Sequence, residues 1–258
     1  VAAPTVITDY PKWPMGYTSW TNVPVTRVRP VGFGVTGAPG PAGGYTSLAN
    51  AYNAAVAGDF IVLADATYAE NFDFDRDFPA ATPIVITSRN ITNGRSPMAN
   101  FTGLYTVSGG GHWFYEVRWT RTTPSGDGVP STYTLTVSAS NITITRNWFN
   151  TPNGMNITDG DRSNINIGWN RFVTSADRIG AFIFIRVANN LILPTSKFRS
   201  SALYNNYFNK TVPSLNGNDA YNVYMGTEHA KPNTSAVVSE VYIEYNYLAG
   251  GNQMKMYL

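Results

Sequence analysis

The chain has 258 residues, enough for one elongated domain with a continuous core. Only 13% of residues are charged, the formal charge is +2 and no basic run occurs, which excludes an ordinary basic nucleic-acid surface. There are no cysteines, so disulfides and thiolate metal sites are excluded, and no apolar stretch reaches the roughly 18 residues of a membrane-spanning helix.

Residues 1–44 show little periodicity, are rich in proline and glycine, and end in Gly37-Ala38-Pro39-Gly40-Pro41-Ala42-Gly43-Gly44. The collagen-like triplets are too few for a triple helix, so this region reads as an irregular arm or linker. A helix is expected next. Thr46 or Ser47 can cap it, Leu48, Ala51, Tyr52 and Ala55 share one face, and Gly58-Asp59 ends it. Such a helix suits the open end of a stack of parallel strands, covering an edge that would otherwise recruit other chains. Phe60-Ile-Val-Leu63 and Pro83-Ile-Val-Ile-Thr87 read as buried strands. Between them Asp73, Asp75 and Asp77 alternate with other residues but lack the glycine and final glutamate of an EF-hand, so a surface strand is expected. His112 stands where a glycine-rich turn enters a strand, and His229 follows Glu228 in a polar loop; two such distant histidines do not make a zinc site. No Gly-x-Ser-x-Gly elbow supports a serine triad.

The strongest signal is an internal repeat. Four segments align without gaps: Asn141-Ile-Thr-Ile-Thr-Arg-Asn147-Trp-Phe149, Asn164-Ile-Asn-Ile-Gly-Trp-Asn170-Arg-Phe172, Ser200-Ser-Ala-Leu-Tyr-Asn-Asn206-Tyr-Phe208 and Glu240-Val-Tyr-Ile-Glu-Tyr-Asn246-Tyr-Leu248. One column holds Ile144, Ile167, Leu203 and Ile243, the next is Asn147, Asn170, Asn206 and Asn246, and the third is Phe149, Phe172, Phe208 and Leu248. The asparagines are 23, 36 and 40 residues apart, so a constant core pattern recurs with loops of varying length. Asparagine tolerates left-handed backbone angles, which suits a turn at that column, and its amides can bond from coil to coil. A second strand precedes each unit: 134–137, 181–186, 221–225 and 253–257. These features predict an all-β fold, a right-handed parallel β-helix over residues 45–258 with a short N-terminal capping helix and the irregular arm before it. The chain opens on Val1 and closes on the strand-like Met254-Lys-Met-Tyr-Leu258, the pattern expected of a piece of a longer polypeptide.

Alternation assigns faces. If Ile183, Ile185, Val223, Met225, Met254 and Met256 point inward, Phe184, Tyr224 and Lys255 share an outward column, two aromatic rings beside a cation. Sugar rings stack on aromatic faces and a lysine attracts a carboxylate, so a polysaccharide carrying acidic groups is the expected ligand. A second outward column, Trp148, Arg171, Tyr207 and Tyr247, is a candidate sugar track too, although the strand preference of aromatic residues accounts for it equally.

The N-terminal pattern Leu48…Ala54-Ala55…Ala57-Gly58-Asp59-Phe60-Ile61-Val62-Leu63-Ala64-Asp65-Ala66-Thr67-Tyr68, followed by Pro83-Ile84-Val85-Ile86, resembles polysaccharide lyase family six, the alginate and chondroitin B lyases within the pectate-lyase-like β-helices. The later matches are Asn206-Tyr-Phe208, Asn218-Asp219…Val223-Tyr-Met-Gly226 and Val241…Glu244-Tyr-Asn246-Tyr-Leu248, so the resemblance covers residues 45–258. It implies β-elimination on a uronic-acid polymer, in which a cation, often calcium, offsets the uronate charge, a lysine removes the C5 proton and an arginine of the next coil assists. Carried onto this chain, Lys255 is the candidate base, with Phe184, Arg186, Asn218, Tyr224 and His229 as candidate substrate-binding residues. The paired acidic calcium ligands expected after the last Asn turn are missing, because Gly250-Gly-Asn-Gln-Met-Lys255 carries no carboxylate. The rival expectation is a non-catalytic β-helix of a phage tail spike, virion decoration or surface fibre. Both readings expect contact with an acidic polysaccharide, no nucleic acid and no membrane, an extracellular or virion-surface location, and a homotrimer or larger assembly built through residues 1–44.

Overall fold

Strands in which every second residue is apolar must bury one face, and here the buried faces meet one another around a single interior. The structure is a computed structural model that describes residues 23–32, 44–89, 98–121, 133–151, 154–158, 160–174, 180–186, 197–210, 220–226, 237–244, 246–249 and 252–256. It is mostly β, with three parallel sheets. The first contains Val28–Val31, Phe60–Leu63, Ile84–Thr87, His112–Tyr115, Ile142–Thr145, Ile165–Gly168, Lys197–Tyr204 and Val237–Glu244, with Asp161–Ser163 alongside Lys197–Arg199. The second runs from Thr67–Tyr68 through Asn100–Phe101, Arg118–Trp119, Trp148–Asn150, Arg171–Thr174 and Tyr207–Lys210 to Tyr247–Ala249. The third runs from Phe72–Phe74 through Tyr105–Val107, Leu135–Val137, Met155–Ile157, Gly180–Arg186 and Ala220–Gly226 to Asn252–Met256.

From Phe60 onward the chain visits the first, second and third sheets in turn and then returns to the first, among the described residues. The register gives the length of each circuit directly. Ile142 pairs with Ile165, Ala202 with Asn166 and Val241 with Ser201, so the 23-, 36- and 40-residue spacings are the lengths of successive circuits. Neighbouring rungs therefore repeat the same side-chain position roughly every 4.8 Å along the stack.

Among the described residues the interior is dominated by one apolar cluster. Ile142, Ile144, Ile165, Ile167 and Leu203 come from the first sheet, and Leu135, Val137, Met155, Ile157, Ile183, Ile185 and Val223 from the third, all buried in one cluster. The second sheet contributes an aromatic file: Trp119 to Phe149 (5.6 Å between ring centroids), Phe149 to Phe172 (4.6 Å) and Phe172 to Phe208 (4.8 Å), within 10° of parallel. Offset stacking of this kind adds about 0.5–1.5 kcal/mol per pair beyond area burial. Leu248 continues the register.

The Asn column is a continuous hydrogen-bonded file. Asn147 donates from its backbone N–H (2.8 Å) and from Nδ2 (3.2 Å) to Oδ1 of Asn170. Asn170 does the same to Asn206 at 3.0 and 3.1 Å, and Asn206 to Asn246 at 3.0 Å each. Each Nδ2 also donates to a carbonyl of the rung before, namely Phe114, Ile144, Ile167 and Leu203.

Where the sequence suggests that these asparagines take the left-handed turn, the structure places that strain one residue earlier. Positive φ falls on Arg146, Trp169 and Asn205 (58°, 52° and 51°), and on Glu116 (53°) in the preceding rung. The αL conformation costs each non-glycine residue on the order of 1 kcal/mol. It swings the next residue inward, and an asparagine there satisfies the backbone groups that the corner leaves unpaired. A second left-handed file does include asparagines, at Gly111, Asn141, Asn164 and Ser200, where the chain enters the first sheet. Asn164 Nδ2 donates to Asn141 Oδ1 at 3.0 Å.

The helix forms over Leu48–Ala54 with Ser47 as its cap, the hydroxyl accepting from Asn50 N–H at 3.2 Å. Leu48, Ala51, Tyr52 and Ala55 are buried, as their spacing predicts. The Tyr52 ring packs edge-on against Phe72, Phe74 and Phe78, placing the helix over the first rung of the core. One boundary moves. Val28–Val31, inside the region read as an irregular arm, forms the first strand of the first sheet, paired in parallel with Phe60–Leu63. Its signal is only four residues long and contains Pro30, which is tolerated because this strand lies at the sheet edge.

Candidate functional site

In the third sheet the strand register stacks Asp73, Thr106, Thr136, Asn156, Phe184, Tyr224 and Lys255 in one file. That file alternates with the buried positions Ile183, Ile185 and Val223, so it belongs to the sheet face opposite the core. Phe184, Tyr224 and Lys255 are thus consecutive rungs, as expected from alternation, and Arg186 is in register with Gly226 two residues further along. For Phe184, Arg186, Tyr224 and Lys255 the description covers the backbone alone, and Asn218 and His229 lie outside the described residues.

Calcium does not fit this file. The rungs in register beside Lys255 are Tyr224, Phe184 and Asn156, and no carboxylate appears until Asp73 at the far end. Among the described residues no group of three or more His, Cys, Asp or Glu side chains converges. Asp73 accepts from Ser108 Oγ at 2.9 Å and Asp77 from Gly110 N–H at 2.7 Å, so two of the three alternating aspartates fasten one rung to the next. They are exposed, as a surface strand requires, although the strand itself spans only Phe72–Phe74.

The second outward column is the better-defined surface. Arg118, Trp148, Arg171, Tyr207 and Tyr247 stand in register on consecutive rungs of the second sheet. The Arg118 guanidinium lies over the Trp148 ring at 4.7 Å, and Arg171 lies over Trp148 at 5.5 Å and over Tyr207 at 5.8 Å. Tyr207 and Tyr247 stack 5.3 Å apart and 5° from parallel. Each cation–π contact contributes about 0.5–1 kcal/mol at such an exposed site. Arg171 is exposed and Tyr247 is 61% exposed. The ring faces look along the stack at the neighbouring rungs; Arg171 and Tyr247 are the exposed members of the file, while Trp148 Nε1 and Arg118 Nε are buried. Strand preference explains aromatic residues here; it does not explain their alternation with arginine. Arg118 escaped the sequence repeat because that rung carries Val117 in the Asn column.

His112 belongs to the interior. It begins the strand His112–Tyr115, is buried, and places Nε2 3.1 Å from the Tyr52 hydroxyl, which also accepts the Arg76 N–H at 2.8 Å. Burial pushes its pKa down from 6.5 to about 4, against the opposing pull of the Gly109 backbone and of Asp77 and Asp75. It is therefore a neutral packing residue near pH 7. A scan against protein-family models and a search of curated protein sequences return no match to this chain.

Proposed function

We propose that the three-sheet winding is a right-handed parallel β-helix that lies along an acidic polysaccharide and holds it by outward files of side chains. The register of Phe184, Tyr224 and Lys255 on consecutive rungs carries this reading, since it puts two aromatic positions and a cation in line along the stack. A linear glycan is matched by a linear repeat: each rung adds one contact position at a fixed interval. The lyase resemblance names uronic-acid polymers as the ligand class and Lys255 as the base that would take the C5 proton. The described rungs in register beside Lys255, Tyr224, Phe184 and Asn156, carry no carboxylate to hold calcium, and an elimination without charge neutralisation of the uronate faces a high barrier. Binding without cleavage is accordingly the preferred form of the proposal, consistent with a tail-spike, virion or surface-fibre module outside the cell.

The test is direct. The protein is mixed with alginate and with chondroitin oligosaccharides, binding is followed by fluorescence anisotropy, and the unsaturated elimination product is followed by ultraviolet absorbance. Binding without product is expected, with Tyr224→Ala and Lys255→Ala weakening it. Product formation abolished by Lys255→Ala moves the assignment to a lyase, and failure to bind any glycan ends the proposal.

A further inference from the structure

We infer that the outward file of the second sheet, Arg118, Trp148, Arg171, Tyr207 and Tyr247, is itself a recognition track for an acidic polysaccharide. It engages carboxylate or sulfate groups through its guanidiniums rather than through ring faces. The inference rests on the glycan-binding reading and assigns it a second, structurally distinct surface.

Three observations carry it. First, among the described residues the charge of the file has no ion-pair partner. The ion pairs among the described residues are Arg27–Asp59, Arg29–Asp59 and Arg89–Glu116, and neither Arg118 nor Arg171 takes part in one. Second, the two guanidiniums recur every second rung, with Trp148 between them, roughly 10 Å apart along the stack. A polymer with one acidic group per disaccharide presents negative charge in the same repeating manner, and a planar guanidinium matches carboxylate or sulfate oxygens in pairs. Third, the contacts within the file fix each guanidinium in place. Arg171 is sandwiched between Trp148 and Tyr207, so little side-chain freedom remains to be lost on binding.

The same geometry argues against single-stranded nucleic acid, the other linear polyanion. Such strands bind mainly by stacking bases on open ring faces along a strongly basic groove. Here the faces of Trp148 and Tyr207 are taken by neighbouring rungs, and the chain carries a formal charge of only +2.

The experiment measures anisotropy of labelled chondroitin sulfate, alginate and neutral-glycan oligosaccharides and of a single-stranded thymidine oligonucleotide, at low and at physiological salt. Wild type is expected to prefer the acidic glycans, with affinity falling as salt rises. Arg171→Gln should weaken them about tenfold, the effect of losing one charge-assisted paired contact. It should lower the thermal midpoint only slightly, by the loss of its two cation–π contacts, because Arg171 is exposed. Arg171→Glu should weaken them further, and Arg118→Gln is a second probe on a half-buried rung. An affinity unchanged by Arg171→Gln and Arg171→Glu but abolished by Tyr224→Ala or Lys255→Ala overturns the second track and leaves the first file standing. Tighter binding of the oligonucleotide than of any glycan overturns the assignment of the partner, and no binding of any glycan removes both readings together.

Discussion

The early and late circuits of this molecule solve one problem in two ways. In the four described rungs with corners at Glu116, Arg146, Trp169 and Asn205 the chain turns from the first sheet into the second through a left-handed residue, and the backbone groups on either side of that corner need partners. From Asn147 to Asn206 the solution is the same each time: an αL residue, then a buried asparagine bonded to the next asparagine and to a carbonyl of the rung before. In the earlier rung the αL residue is Glu116 and the next residue is Val117, which cannot donate from its side chain. There the corner is held by side chains from the preceding rung. Arg89 pairs with the Glu116 carboxylate, its Nε at 2.6 Å, and Ser88 Oγ donates to the Glu116 carbonyl. Val117 N–H and Trp119 Nε1 both reach down to Asn147 Oδ1, so the amide file ends on the backbone of the older-style corner. A shared corner solution makes a repeat visible in a sequence; a shared backbone path alone does not.

Breaking the file in its middle should have the largest effect. Asn170→Ala removes the acceptor for Asn147 and the donor to Ile144 O and Asn206, leaving several buried groups unpaired. At about 1–3 kcal/mol for each unsatisfied buried group, partly relieved by relaxation, a loss of about 4 kcal/mol in denaturant unfolding is expected. A shift below about 1 kcal/mol would show that the amides are decoration on a stack held by its core alone.

The next effect lies in the early half and is a pH dependence. The folded-state pKa of His112 is lowered to about 4 from 6.5, so the unfolded chain takes up the proton first. Its contribution is fully present above pH 6.5, is lost as pH falls from 6.5 toward 4, and changes no further below that. The loss is about 3 kcal/mol across the window, because a proton would place charge on a ring that is buried. Unfolding of wild type and His112→Phe between these pH values checks it; the variant should lose the slope attributable to this group.

Glu116→Gln should cost less, about 1–2 kcal/mol, since it removes one charge of a half-buried pair and keeps the shape of the corner. Thermal unfolding of this variant against Arg89→Met and the double variant measures the coupling. Additive losses would mean that the ion pair does not hold the corner. Smallest is Asn246→Ala, at about 1 kcal/mol. This asparagine is only partly buried and accepts from Asn206 without a described amide beyond it. A cost equal to that of Asn170→Ala would erase the distinction between the middle of the file and its last described rung.

Much of the late half was legible residue by residue. The columns through Ile144, Asn147 and Phe149 are physical files, the inward assignment of Ile183, Ile185 and Val223 holds, and the capping helix forms on the residues whose spacing announced it. The early circuits were legible only as isolated strands. Their aromatic file begins with Tyr68, Phe101 and Trp119, three residue types in edge-on contacts (5.7 and 4.8 Å) that no alignment column unites. In the candidate site, the registers of Phe184, Tyr224 and Lys255 and of Trp148, Arg171, Tyr207 and Tyr247 followed from alternation and the repeat, while the place of Arg118 over Trp148 did not.

What the sequence determined by itself is whatever has a local period: which strand residues face the core, where asparagine must recur, and how long each circuit is. These follow from the two-residue alternation of a strand and from the identical demand each corner makes. Only the tertiary structure decided which residue bears the left-handed strain, that Val28–Val31 joins the first sheet, and that arginines and aromatic rings from rungs 23 to 40 residues apart lie over one another. Those depend on which rung becomes the neighbour of which, and a loop of variable length hides that until the strands have paired.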